Sequence, residues 1–129
     1  MAKLANKAEL KKTMEASHAQ HFKLAGLLLA AHGGSLGTCV TIFKDTARNP
    51  QVGGVGVFAL LFGIGLIASI AYYASVFMTR AVVQNALEDD EDPNDSPSVG
   101  FLIRLNLISL GLAVVTLLAA IVLVVVRLS

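Results

Sequence analysis

Tryptophan is absent from this 129-residue sequence, cysteine occurs once, tyrosine twice and proline three times. One cysteine permits no intramolecular disulfide, so a small secreted scaffold held by cross-links is excluded. Without tryptophan and with two tyrosines, any aromatic belt at a membrane surface is thin, and Lys and Arg carry most of the interfacial anchoring. The prolines, Pro50, Pro93 and Pro97, all fall in polar stretches and leave the long apolar runs unbroken. Charge is scarce as well: 15% of residues are Asp, Glu, Lys or Arg, against 55% hydrophobic, and mean hydropathy is +0.70. That balance is far from the usual soluble composition.

What fills the chain instead is three apolar runs, Phe22–Phe43, Val52–Met78 and Phe101–Leu128. Each exceeds the roughly 18–20 residues that cross about 30 Å of hydrocarbon as a helix. The predicted fold is an all-α integral membrane protein with three transmembrane helices, residues 1–129 forming one membrane domain. Residues 1–21 form a basic cytoplasmic helix continuous with the first span, residues 22–43. The second span covers 52–79, a helix extension and acidic loop cover 80–100, and the third span covers 101–128. A cleaved signal peptide fits poorly, because the basic segment before the apolar run is too long and the run continues past any cleavage point.

Residues 5–20 lack Gly and Pro and pair opposite charges one turn apart, Lys11 with Glu15 and Glu9 with Lys12, which supports a helix. The polar stretch KDTARNPQ, residues 44–51, is short enough to make the first two spans antiparallel neighbours. EDDEDPND, residues 88–95, crowds six carboxylates before Pro97 and reads as a solvated turn in weak, salt-screened contact with the Lys-rich N-terminal helix. It is no calcium loop. Asp90, Asp92 and Asn94 have the right spacing, but Asp95 replaces the required Gly and Phe101 replaces the bidentate Glu.

Basic residues set the orientation. Lys3, Lys7, Lys11, Lys12, Lys23, Arg80 and Arg104 lie on the N-terminal side, against Lys44, Arg48 and Arg127 on the other. The bias predicts a cytoplasmic N-terminus and an outside C-terminus in a bacterial inner membrane.

On the first helix Met14, His18, His21, Ala25, Leu28, His32, Ser35 and Cys39 recur by fours and threes, a seam spacing. His32, Ser35 and Cys39, with Asn106, Ser109 and Thr116 of the third span, form a polar seam near the midplane. An ionisable residue at that depth faces a bundle interior or a cavity. Two readings of His32 follow: a structural hydrogen bond to Ser69, Ser109 or Thr116, or a pore, proton or cofactor role. His18 and His21 are weak metal candidates, since no third ligand lies near them, and the sequence calls for no metal or cofactor.

A second stripe on the first helix, Gly26, Ala30, Gly33 and Gly37, contains a GxxxG that lets helices approach closely. The second span is small on two sides, with Gly56, Ala59, Gly63 and Ala74 on one and Gly65, Ala68, Ser69 and Tyr72 on the other. Such a helix calls for close neighbours on both. No phosphate loop, nucleophile elbow, HExxH or pair of carboxylates at membrane depth is present, so the sequence predicts no enzyme.

The basic N-terminal helix, three spans and a histidine in the first give a layout similar to the three-helix membrane anchors of succinate dehydrogenase. The SxxHR-type run and second-span histidine of those anchors are missing, with Tyr72–Tyr73 standing in that region. The short spans, basic N-terminus and charged loop also resemble those of holins. Three functions are therefore carried forward: a homo-oligomeric, pore-forming or membrane-permeabilising protein; an accessory subunit of a larger membrane complex; and a haem- or quinone-binding anchor around His32. The implied partners are the lipid bilayer, further copies of the chain or other membrane subunits, and no nucleic acid.

Overall fold

The computed structural model describes residues 2–46, 55–92, 95 and 97–129. Three helices run in order: α1 (Ala2–Thr46), α2 (Val55–Glu88) and α3 (Pro97–Leu128). Each contains a window long and apolar enough to cross a membrane. The chain is an all-α, three-span membrane protein. The polar connection anticipated at 44–51 and the start of the second span at Val52 lie largely outside the described residues.

α1 is 45 residues long, about 68 Å at 1.5 Å per residue, so it carries its membrane-crossing half and a charged N-terminal half on one uninterrupted axis. α2 ends in a turn that Asp90 closes with φ at 56°, and the Glu91 N–H donates to the Ala86 carbonyl at 2.8 Å. That six-to-one bond is a Schellman closure with Asp in the left-handed position usually held by Gly. The same residue accepts an ion pair from Lys7 Nζ, joining the acidic turn to α1. α3 opens on Pro97, where the missing N–H costs nothing because the first turn has no partner for it. The helix thus begins four residues before the apolar run.

α2 is the middle member of the bundle. It packs along both neighbours, whereas α1 and α3 barely meet. Many of the buried positions are small or polar, among them Ala25, Ala68, Ala113 and Ala120, with His32, Ser69, Ser75, Ser109 and Thr116, beside a few larger residues such as Leu28, Tyr72, Val76 and Leu102. The exposed positions are bulky and aliphatic, among them Ile67, Leu107, Ile108, Val115 and Val122. A water-soluble bundle does the reverse. In lipid, where burying aliphatic surface gains nothing over leaving it in acyl chains, close approach of small residues and hydrogen bonds holds helices together.

Candidate functional site

Ala25, Leu28, His32 and Cys39 of α1 are buried, Ser35 is half-buried, and this side of the helix faces the bundle. From α3, Ser109, Ala113, Thr116 and Ala120 are buried and Asn106 half-buried, and from α2 come Gly65, Ala68, Ser69, Tyr72, Ser75 and Val76. The described structure therefore places the polar seam on the interior, with the α2 ridge between its two halves.

His32 is completely enclosed. Its Nε2–H donates to the Ala113 carbonyl at 2.9 Å, a side chain-to-backbone bond that ties α1 to α3. In that tautomer Nδ1 is an acceptor, and it has no partner. The ring fits because Gly65 lies beneath it. A Cβ built at Gly65 would overlap the imidazole and come within 2.6 Å of Thr116 Oγ1. Phe62 flanks the ring at 6.1 Å between centroids. Both ring nitrogens are enclosed by the described helices.

The hydroxyls proposed as partners for His32 turn back onto their own helices. Ser69 donates to Gly65 O at 2.7 Å, Ser109 to Leu105 O at 2.6 Å, and Thr116 to Leu112 O and Ala113 O at 2.9 and 3.0 Å. Back-bonding of this kind satisfies a buried hydroxyl without a neighbour. The Ala113 carbonyl thus accepts from both Thr116 and His32.

A second polar cluster lies nearer the N-terminal end. Tyr72 is fully buried, and its hydroxyl meets His21 Nδ1 at 2.5 Å. Ser75, also fully buried, donates to Tyr72 O at 2.8 Å and bonds the Asn106 side-chain carbonyl, linking α2 to α3. His18 and His21, with Thr79 and Asn106, line a crevice of about 250 Å³. Burial pulls the His18 pKa below its ordinary 6.5, and the charge of Arg80 and then of His21 act in the same direction. Among the described residues, no three or more His, Cys, Asp or Glu side chains converge on a point where a metal could sit. Sequence reasoning missed Ser75 and the Tyr72–His21 pair. The signal was available in the α2 ridge 65, 69, 72, 76, 79, spaced by fours and threes, with Ser75 beside it.

The GxxxG stripe of α1 points the other way. Gly26, Ala30 and Gly37 are exposed, and Gly33 is half-buried with only the tip of Leu66 near it. A Cβ at Gly26, Gly34 or Gly37 would meet nothing within 4 Å. Thr38 and Thr41, also exposed, bond back to Gly34 O and Gly37 O. On α2, Gly65 and Ser69 are interior, Ala59 and Gly63 half-buried, and Gly56 exposed with open space around Gly63.

No family model, curated protein or solved structure matches this chain.

Proposed function

We propose that this chain is a non-enzymatic membrane protein that works as a homo-oligomer, its copies joined through the outward small-residue face of α1, and that the assembly permeabilises the bilayer as holins do. In this reading the protein sits in a bacterial inner membrane with its basic N-terminal half in the cytoplasm and its C-terminus outside.

The observation that carries the reading is a contrast between exteriors. Between Leu27 and Val40, no large hydrophobic side chain is exposed on α1, while α2 and α3 present Leu, Ile, Val and Phe along their outer sides. The bare positions are Ala30, Gly34, Gly37 and Thr38, next to half-buried Gly33. A face so short of side chains makes few dispersion contacts with acyl chains but lets another helix backbone come close. The enclosure of both His32 nitrogens lends no support to a redox subunit built on that residue.

The test is a pair of measurements on the full chain and on Gly37→Leu, where open space means the new side chain harms nothing within the bundle. In lipid nanodiscs or native-membrane extracts the wild type should form a discrete homo-oligomer that Gly37→Leu dissociates. The wild type should release a trapped dye from liposomes, and the variant should release far less. A monomer that leaves liposomes sealed and co-purifies with other membrane subunits would replace this reading with that of an accessory subunit.

A further inference from the structure

His18 and His21 of α1 share their crevice of about 250 Å³ with Asn106 of α3. All three of its walls are described helix for at least about one and a half turns beyond it in each direction. The hydrogen bonds around it leave donors unused. The Tyr72 hydroxyl meets His21 Nδ1 at 2.5 Å and has no other partner among the described residues. Were Nδ1 the donor, the hydrogen of that buried phenol would go unmatched. The phenol therefore donates, and the His21 proton sits on Nε2, at the other edge of an exposed ring. Asn106 gives its side-chain carbonyl to Ser75, which turns its amide N–H groups away from that contact. Ser17, exposed at the rim, makes no hydrogen bond among the described residues, and neither does His18.

Charge in the crevice has one sign. Arg80 lies close enough to His18 to oppose its protonation, His21 acts the same way, and no carboxylate lines the walls. Among the described residues Arg80 makes no ion pair. Water can satisfy the donors but does not balance that charge. Depth narrows the ligand further. His32 is at the middle of the span 22–43, and His21 precedes it by eleven residues, about 16 Å along the axis. That distance reaches the edge of a hydrocarbon core about 30 Å thick, where ester carbonyls and phosphates begin. Leu107, 66% exposed, continues the α3 wall towards the midplane as an apolar surface. We propose that this crevice binds an anionic phospholipid of the leaflet on the N-terminal side, its phosphate accepting from His21 and Asn106 beside Arg80 and its chains lying along Leu107. Basic pockets between transmembrane helices recognise anionic headgroups by this chemistry. The volume is below the roughly 300–1,000 Å³ of sites that enclose a whole ligand, as suits a headgroup whose chains stay in the bilayer. The site does not depend on self-association.

The three histidines provide the experiment, two on the crevice and one enclosed. The full chain, with isotope-labelled histidine rings and in micelles of an uncharged detergent, is titrated with short-chain phosphatidylglycerol, the matching phosphatidylcholine or inorganic phosphate. Phosphatidylglycerol should move the His18 and His21 ring signals saturably and leave those of His32 in place. It should also raise the titration midpoint of His18 by about one pH unit, because an adjacent anion favours the imidazolium. Phosphatidylcholine and inorganic phosphate should each need at least about fivefold higher concentration, the size expected from one interfacial charge. Arg80→Gln should weaken phosphatidylglycerol by about fivefold. Arg104→Gln, which removes an exposed cation outside the crevice, should not. Unchanged His32 signals verify that each variant keeps its bundle. The absence of a saturable response at His18 and His21, or an equal response to phosphatidylcholine, would overturn the proposal. So would an equal loss from Arg104→Gln, which would mean diffuse surface charge. Inorganic phosphate matching phosphatidylglycerol would assign the crevice to a soluble anion and overturn its assignment to lipid.

Discussion

Gly65→Ala should be among the most damaging single-methyl additions in the chain. In an ordinary helix interior this change is stabilising by about 0.8–1 kcal/mol. At Gly65 the methyl would overlap the His32 ring and lie 2.6 Å from Thr116 Oγ1. Both neighbours are themselves buried, so neither has solvent to move into. Overpacking of a filled interior costs about 1–3 kcal/mol. Displacing the ring also breaks the 2.9 Å bond to Ala113 O, and a hydrogen bond between membrane helices is worth about 0.6–1.7 kcal/mol. Against the propensity gain, the net loss should centre on about 2 kcal/mol, roughly thirtyfold in the folding equilibrium.

The assay can use the only cysteine. Cys39 is buried on the same stripe as His32, two turns away, so its rate of maleimide labelling reports opening of the bundle across a titration from mild detergent into SDS. Gly65→Ala should shift the midpoint to lower SDS. Gly111→Ala, where nothing lies within 4 Å, should leave the midpoint unchanged or raise it. A cycle with His32→Ala then isolates the clash, because removing the ring should recover at least about 1 kcal/mol of the Gly65→Ala loss, a coupling typical of residues in contact. If Gly65→Ala behaves like Gly111→Ala, the ring does not rest on Gly65 and the reasoning fails.

Three further outcomes can be measured the same way. Tyr72→Phe removes the hydroxyl that meets His21 and should cost about 0.5–1.5 kcal/mol, with His21→Ala adding little once Tyr72 is gone; full additivity would argue against the pair. His18 has a lowered pKa, so the bundle favours its neutral form, and its contribution should be fully present above pH 6.5 and fall away as pH drops through the folded value. His18→Gln should therefore flatten the loss of stability between about pH 7.5 and pH 5; an unaltered pH profile would exclude His18 as its source. Asp90→Gly relieves a left-handed backbone position but gives up the exposed Lys7 pair. It should be neutral or stabilising by up to about 1 kcal/mol, and a clear destabilisation would mean the ion pair matters more than exposed pairs usually do.

The three spans were legible because each apolar run is long enough to cross a bilayer by itself, and lipid admits few alternatives to a helix. Faces were legible too. Periodicity alone collected Ala25, Leu28, His32 and Cys39 on one side of α1 and Gly26, Ala30 and Gly37 on another. Periodicity does not say which face meets which neighbour. The glycine face promises the tightest helix contact, yet within this chain the histidine face takes the inner position and Gly65 of α2 supplies the close approach. Partners of individual side chains were least legible. The acceptor for His32 is a main-chain carbonyl, and Ala113 gives no hint of it by its side chain. Tyr72 and His21 meet only because α1 and α2 have a particular axial offset, which neither segment encodes alone.

The length of α1 has a consequence of its own. Lys7, which meets the acidic turn, and Gly37, on the bare outer face, stand thirty residues apart on one helix with no proline between them. Along such a rod, angular position is shared: the phase at which the charged end engages Asp90 sets the direction in which the glycines look. Twisting one end by about 100° amounts to moving every side chain on the other end by one residue's worth of azimuth. The ionic contact at the water-exposed end and the presentation of the small face in the bilayer are thereby two readings of a single dial.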